Sequence, residues 1–385
     1  ICSLKACGCL GAIGKGREIH GEICKSGFEN DTLISALIDM YAKSGSLVEA
    51  RYLFCKLPDG DVVLWTSLIA GYAEHEQSEE ALWLFAQMQH CAIYPDNVTF
   101  AFVLKACGTI GAQGKGQEIH AILAIGGMEL DLLSGNSLID MYVKCAMIRN
   151  AHAAFNKLSI RDVASWTSLM TGFVEHHFYR EALDCFEKIP YDNISPDEVA
   201  YSCALKACGN SRAINKAEEI HAEIVMKGFE GDLAVTSTLI GMYVKCGLFV
   251  EAREVFDSLQ VQNVVLWNAL IGGFVEHGLN EDALDCLQKM EHEGVSPHVV
   301  TFLYVLKACG SIGATDLGEG IHSNIVKRGL ESDLIIGNSL VDLYAKCGVL
   351  LEARYVFENL LDQDEVSWNT LLVGYSQIGE SENVF

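Results

Sequence analysis

A twelve-residue string returns through this chain at a fixed interval, and that regularity constrains the fold more than any local propensity. Residues 61–72 read DVVLWTSLIAGY, 162–173 DVASWTSLMTGF, 263–274 NVVLWNALIGGF and 364–375 DEVSWNTLLVGY. Trp65, Trp166, Trp267 and Trp368 are thus spaced by 101 residues, and only Trp83 stands outside the series. A chain with this self-similarity builds one array of like units, each burying its apolar surface on its neighbours.

The period divides into parts of 35, 35 and 31 residues: 62–96, 97–131 and 132–162, then 163–197, 198–232 and 233–263, then 264–298, 299–333 and 334–364. A partial unit at 1–31 and a short one at 32–61 precede them, and 365–385 is a further partial unit. Each part reads as two helices. In 132–162, Leu138, Ile139, Tyr142, Ala151 and Phe155 follow three- and four-residue spacing. Gly247 and Gly348 stand where a left-handed C-cap ends the first helix. Pro95, Pro196 and Pro297, again 101 apart, are expected to stop the second helix of their units. The expected fold is all-α: a superhelical α-solenoid of stacked helical hairpins in one continuous array.

Composition narrows the function. Half of the residues are hydrophobic, enough to bury a core, and no apolar run approaches the roughly 18 residues of a membrane span. The net charge of −24, from 51 acidic and 27 basic residues, opposes simple phosphate-driven nucleic-acid binding. Of fifteen cysteines, Cys107, Cys208 and Cys309 form one periodic series and Cys145, Cys246 and Cys347 another. No C-x-x-C pair occurs, so they read as reduced packing residues rather than zinc or redox ligands.

Two enzyme-like signals fail on inspection. His20–Glu22 and His221–Glu223 match the H-x-E of zinc deaminases, but the same slot reads His120–Ile122 and His322–Asn324. Gly111, Gly114, Lys115 and Gly116 look like a phosphate loop, yet no Ser or Thr follows the lysine and no strand precedes it. They are expected to lie in an inter-helix loop. No metal or cofactor is implied, nor a small-molecule substrate or membrane. No signal or transit peptide is visible.

The repeat strings themselves carry a resemblance. WTSLIAGY with EEALWLFAQMQ and PD resembles the P-type pentatricopeptide motif, TFAFVLKACGTIGAQGKGQEIHAILA the L type, and GNSLVDLYAKCGVLLEARYVF the S type. The chain is similar, over its whole length, to the PLS class of plant pentatricopeptide repeat proteins. That resemblance implies single-stranded RNA binding in a mitochondrion or chloroplast, often to choose cytidine-to-uridine editing sites. It implies no catalysis by this array; chemistry would come from a C-terminal extension or a partner, and some editing factors engage L repeats.

In that family each P or S repeat reads one base through its fifth and last residues. The resemblance makes Ser35 with Asp61, Thr66 with Asp96, and Thr167 with Asp197 guanine readers. Asn136 with Asp162 and Asn338 with Asp364 become uridine readers, and Ser237 with Asn263 an adenine reader. Asn268 with His298 departs from the usual pairs and carries only a pyrimidine preference; Asn369 lacks its partner. The implied target is approximately GGnUGnAYnUY, with n at the L repeats, whose fifth positions are Ile1, Ala101, Ser202 and Leu303. Chemistry independent of the family agrees, because Asp, Asn, Ser and Thr can hydrogen-bond the edges of unstacked bases.

Blander roles compete. An Asp before a helix is an ordinary N-cap, but capping does not explain why all eight P and S units carry Ser, Thr or Asn at the fifth position. The second positions Val63, Leu133, Ala164, Ala234, Val265, Ile335 and Val366 are expected to sandwich bases, or to pack repeat on repeat. Lys43, Lys144, Lys245 and Lys346 are candidate phosphate contacts or plain solvated lysines. The competing function is a tetratricopeptide-like protein-binding scaffold without RNA, which the acidic charge favours.

Overall fold

A computed structural model describes residues 1–27, 30–57, 60–259 and 262–378. Among the described residues there are 23 α-helices and no strand. Packing divides the chain into residues up to Cys203 and residues from Ala204 on. The first unit holds α1 (Cys2–Leu10), α2 (Ile13–Ser26), α3 (Asp31–Lys43), α4 (Leu47–Phe54), α5 (Val62–Glu74) and α6 (Ser78–His90). It continues through α7 (Asn97–Thr109), α8 (Gln113–Ile125), α9 (Leu132–Lys144), α10 (Ile148–Lys157), α11 (Val163–Glu175) and α12 (Tyr179–Lys188). The boundary falls within α13 (Glu198–Ser211). The second unit holds α14 (Ile214–Lys227), α15 (Leu233–Lys245), α16 (Phe249–Asp257), α17 (Val264–Glu276) and α18 (Asn280–His292). Then come α19 (Val299–Ile312), α20 (Thr315–Lys327), α21 (Leu334–Lys346), α22 (Leu350–Glu358) and α23 (Glu365–Ile378).

Each unit is two-layered. Odd-numbered helices pack side by side, α3 on α1 and α5 on α3 in the first unit, α17 on α15 and α19 on α17 in the second. Even-numbered helices cover them from behind, α4 on α3 and α18 on α17. No hairpin has a core of its own, so its stability comes from its neighbours.

The recurring string explains this packing residue by residue. Asp61 caps α5 through Leu64 N–H at 3.0 Å. Trp65 lies edge-on to Phe54 of α4 with ring centroids 4.7 Å apart, and Trp166–Phe155, Trp267–Phe256 and Trp368–Phe357 repeat the contact. Gly71, Gly172, Gly273 and Gly374 face Ala42, Val143, Val244 and Ala345 so closely that a Cβ at any of them would collide. The string is therefore the place where one odd helix docks on the one before.

Two expectations are corrected. The helices expected to stop at Pro95, Pro196 and Pro297 end earlier, α6 at His90, α12 at Lys188 with a 3-10 turn to Asp192, and α18 at His292. Left-handed Ala92, Asn193 and Gly294 reverse the chain there (φ 58°, 58° and 76°). The prolines instead sit immediately before the first residues of the next hairpin, where extended backbone suits them. Nor are Gly114, Lys115 and Gly116 loop residues: they form the first turn of α8, leaving only Gly111 outside. Gly116 is there because Met141 of α9 fills the space that a side chain would take.

Cys107, Cys208 and Cys309 are fully buried, and burial pushes their thiols up to about 12, 12 and 11. All fifteen cysteines are free thiols. The histidine of the apparent H-x-E bonds a tyrosine across the next seam in every copy: His20–Tyr41, His120–Tyr142, His221–Tyr243 and His322–Tyr344, at 2.6–2.9 Å. Among the described residues no group of His, Cys, Asp or Glu could hold a metal ion, and no helix is long and apolar enough to cross a membrane.

Candidate nucleic-acid interface

The proposed reading residues meet where the first turns of successive odd helices face one another. Asp131, Asp162, Asp232 and Asp333 cap α9, α11, α15 and α21. This fixes the fifth residue of each helix one turn in. The same holds for α3, whose cap is Asn30 bonded to Leu33 N–H at 2.9 Å. That helix begins at Asp31, one residue earlier than its sequence boundary, and Ser35 is its fifth residue.

At four of the seven seams the fifth residue is linked to the cap of the next odd helix. Asn136 Nδ2 donates to Asp162 Oδ1 at 3.2 Å, and Asn338 Nδ2 to Asp364 Oδ1 at 3.4 Å. Asn268 Nδ2 lies 3.4 Å from His298 Nε2. Thr66 reaches Asp96 through an intermediary: its Oγ1 is 2.6 Å from Thr99 Oγ1, which donates to Asp96 Oδ1 at 2.7 Å. In the remaining three pairs no hydrogen bond joins the partners among the described residues. Ser35, Thr167 and Ser237 turn their hydroxyls back to Asp31 O, Val163 O and Ala234 O of their own helices.

The joined seams also carry a residue that sequence reading missed. The third helical residue is a buried hydroxyl at four seams, Thr99, Ser165, Thr301 and Ser367. Ser165 Oγ is 2.8 Å from Asp162 Oδ1 and 2.7 Å from Asn136 Oδ1; Thr301 Oγ1 donates to Asn268 Oδ1 at 2.7 Å. At the three unjoined seams the same place holds Leu64, Ala200 and Leu266, which offer no hydroxyl. Asp-x-x-Ser/Thr at a helix start is a capping-box pattern and was the available signal.

Capping does not exhaust these carboxylates. Leu64, Thr99, Ser165, Ala200 and Ser367 N–H groups each donate to Oδ1 of Asp61, Asp96, Asp162, Asp197 and Asp364, and Oδ2 of each takes no bond among the described residues. Asn263 likewise caps through Oδ1, from Val265 and Leu266 N–H, and its Nδ2 makes no bond among the described residues. Burial alone would raise the pKa of Asp162, but the Ser165 hydroxyl and N–H and the Asn136 amide outweigh it and hold the carboxyl below its ordinary range. Asn369 is exposed on α23, next to Trp368 in the sequence.

The second-position residues are not packed between repeats. Val63, Leu133, Val265, Ile335 and Val366 are exposed apolar side chains, and Ala164 and Ala234 are exposed too. They flank the reading pairs, so each pair opens beside a small apolar platform. The lysines are mostly committed. Lys43, Lys144 and Lys346 pair with Asp39, Asp140 and Asp342, one turn back, at 2.9, 2.8 and 2.6 Å. Lys245 has Gly241 in that place and donates to Asn210 Oδ1 at 3.0 Å.

Sequence comparisons identify the family. The PPR repeat family matches residues 60–109, 161–210 and 262–311, and the PPR repeat matches 34–62, 235–264, 338–364 and 366–385. Among curated relatives from Arabidopsis thaliana, pentatricopeptide repeat-containing protein At4g39530 is 34% identical over 97% of this chain and 46% of its own length. Pentatricopeptide repeat-containing protein At1g15510, chloroplastic, is 32% identical over 100% of this chain and 44% of its own. The mitochondrial protein At2g03380 is 32% identical over 98% and 55%. The chain spans about half the length of these relatives. The crystal structure of pentatricopeptide repeat protein PPR10 in complex with an 18-nt psaJ RNA element superposes with a TM-score of 0.73 at 18% identity, covering 91% of this chain and 53% of that one. Its fold is the one described above. This chain belongs to the pentatricopeptide repeat (PPR) family.

Proposed function

We propose that the chain is a sequence-specific single-stranded RNA-binding array of the PLS class that selects sites for organellar RNA processing, in particular cytidine-to-uridine editing. The observation that carries this reading is the juxtaposition of the fifth and last residues, directly bonded in Asn136–Asp162 and Asn338–Asp364, beside an exposed apolar second residue. Such a seam offers an amide donor, a free carboxylate oxygen and an apolar surface within the reach of one base. That is the equipment for stacking an unpaired base and reading its edge. The RNA in the PPR10 complex and the words chloroplastic and mitochondrial in the relatives' names support the same substrate class and an organellar location.

On this reading the pairs select approximately GGnUGnAYnUY, one base per repeat, and the array itself is not an enzyme. Editing chemistry belongs to an additional domain or to a partner acting in trans, and organellar editing factors would engage the repeats at α1–α2, α7–α8, α13–α14 and α19–α20. The net charge of −24 gives one competing reading, a protein-binding scaffold. Binding of the designed RNA and of a scrambled control, compared by gel shift at fixed salt, separates the two. Preference for the designed string supports the array; equal or absent binding favours the scaffold.

A further inference from the structure

The odd-numbered helices carry cations that base reading does not use. Lys5, Lys105, Lys206 and Lys307 occupy one place in α1, α7, α13 and α19, the helices whose fifth positions are Ile1, Ala101, Ser202 and Leu303. Each lysine follows that fifth position by four residues, so it projects from the same helix face one turn on. All four are exposed.

The surroundings of three of them place those three beside reading residues. Lys105 lines a pocket with Leu133 and Asn136, Lys206 one with Ser237 and Val265, and Lys307 one with Ile335 and Asn338. Each pocket thus combines a reading residue, an apolar second-position residue and one of these lysines. Lys144, Lys245 and Lys346 line the same three pockets, but two of them are held in ion pairs and the third by Asn210. None of Lys5, Lys105, Lys206 and Lys307 has an ion pair among the described residues. The corresponding place in α5, α11 and α17 is Ala70, Thr171 and Gly272, and in α3, α9 and α21 it is Asp39, Asp140 and Asp342. Among the described residues, a lysine without an ion pair at this helix position is therefore found in α1, α7, α13 and α19.

Resting on the RNA-binding reading, we propose that Lys5, Lys105, Lys206 and Lys307 are the backbone anchors of the array, each binding a phosphodiester oxygen next to the base held at the following seam. The two jobs are then divided between hairpins. The P- and S-type hairpins read bases, and the L-type hairpins hold the backbone, one anchor for every three repeats. A lysine suits this task because it is a point charge on a flexible stem that follows a phosphate without demanding one geometry. The division also accounts for how a chain of net charge −24 keeps a polyanion: the few unneutralised cations of its odd-numbered helices stand beside the bases being read.

The test is the salt dependence of affinity for the designed RNA, measured on the whole chain. Lys105→Gln, Lys206→Gln and Lys307→Gln are combined in one variant. Lys25→Gln, Lys227→Gln and Lys327→Gln, exposed at the C-terminal ends of even-numbered helices, form a control with the same change in charge. Three lost phosphate contacts lower the slope of log affinity against log salt by about 2, with the ratio of designed to scrambled RNA affinity unchanged; the control keeps the original slope. Equal slopes for the two variants, with selectivity intact in the unaltered chain, overturn the anchors while leaving base reading standing. Absence of selective binding by the unaltered chain overturns both. Melting curves of the two variants confirm that neither is unfolded.

Discussion

Ser165 Oγ stands 2.7 Å from Asn136 Oδ1, across 29 residues of chain. It also stands 2.8 Å from Oδ1 of Asp162, the cap to which Asn136 donates. The Ser165 hydroxyl has one proton to offer either oxygen, and the Asn136 amide turns its oxygen toward Ser165 and its nitrogen toward Asp162. The residue proposed to read a base is thus positioned by the helix that follows it.

Removing that hydroxyl separates positioning from capping. Ser165→Ala keeps the helix and the Asp162 cap bond from Ser165 N–H but frees the amide. The expected stability loss is about 1 kcal/mol, the net value of one hydrogen bond. Discrimination among the four bases at the Asn136 slot should fall several-fold, read by fluorescence anisotropy on RNAs varied at that base only. A loss of stability with discrimination intact would reduce Ser165 to a capping residue.

Close approach of helices is tested at the second glycine of the series. Gly172→Ala drives a Cβ into Val143, and overpacking of this kind costs about 1–3 kcal/mol. Gly241→Ala, also within a helix but with open space at its Cβ, should instead stabilise by about 0.5–1 kcal/mol. Urea titrations of the two variants should move in opposite directions.

Ala146 is the odd member of its set. It holds φ 58° where Gly45, Gly247 and Gly348 hold 76–79°. A side chain in the left-handed region is strained, so Ala146→Gly is expected to stabilise by about 0.5–1 kcal/mol, measured as a rise in melting temperature. An unchanged or lower melting temperature would show that the strain is relieved elsewhere.

Protonation should weaken the fold in two stages. Burial lowers the pKa of His221 and His322, whose rings bond Tyr243 and Tyr344. Their contribution is complete above the unfolded value of about 6.5 and is lost as pH falls through the lower folded value. Asp162 is also depressed, by bonds that outweigh its burial, and Asp364 chiefly by the N–H and hydroxyl of Ser367. Their contribution is complete above about 3.9 and disappears below it. Melting temperature should therefore decline first below about pH 6.5, and His221→Gln with His322→Gln should flatten that stage. A decline of the same size in the double variant would assign it to other groups.

Much of this fold could be read from the chain because Trp, Gly and Asp recur at one interval, and each has a distinct reason to be where it is. The helix ends were harder. Proline is conspicuous, but the turn at Ala92 depends on a left-handed conformation that alanine does not announce. At the site, the fifth residues stood out by contrast with the L-type hairpins, whereas the last residues did not, since Asp131, Asp232 and Asp333 end those hairpins too. Ser165 and Thr301 did not, since their partners lie about thirty residues back and only folding brings them together. The lysines show the reverse. The Asp39–Lys43 spacing that neutralises the series was present in the sequence as an ordinary i, i+4 pair. Its significance depended on seeing that Lys105 and its equivalents have no such partner.

The central claim is that the fifth residue, positioned against the next cap, chooses the base. Thr66→Asn tests it most directly, because Asp96 and Thr99 remain in place to receive the new amide as Asp162 and Ser165 receive Asn136. Affinity is measured for the designed RNA carrying guanine or uridine at the second position. The unaltered chain should prefer guanine there and the variant uridine, with the other positions unaffected. The same preference in both proteins would contradict the account.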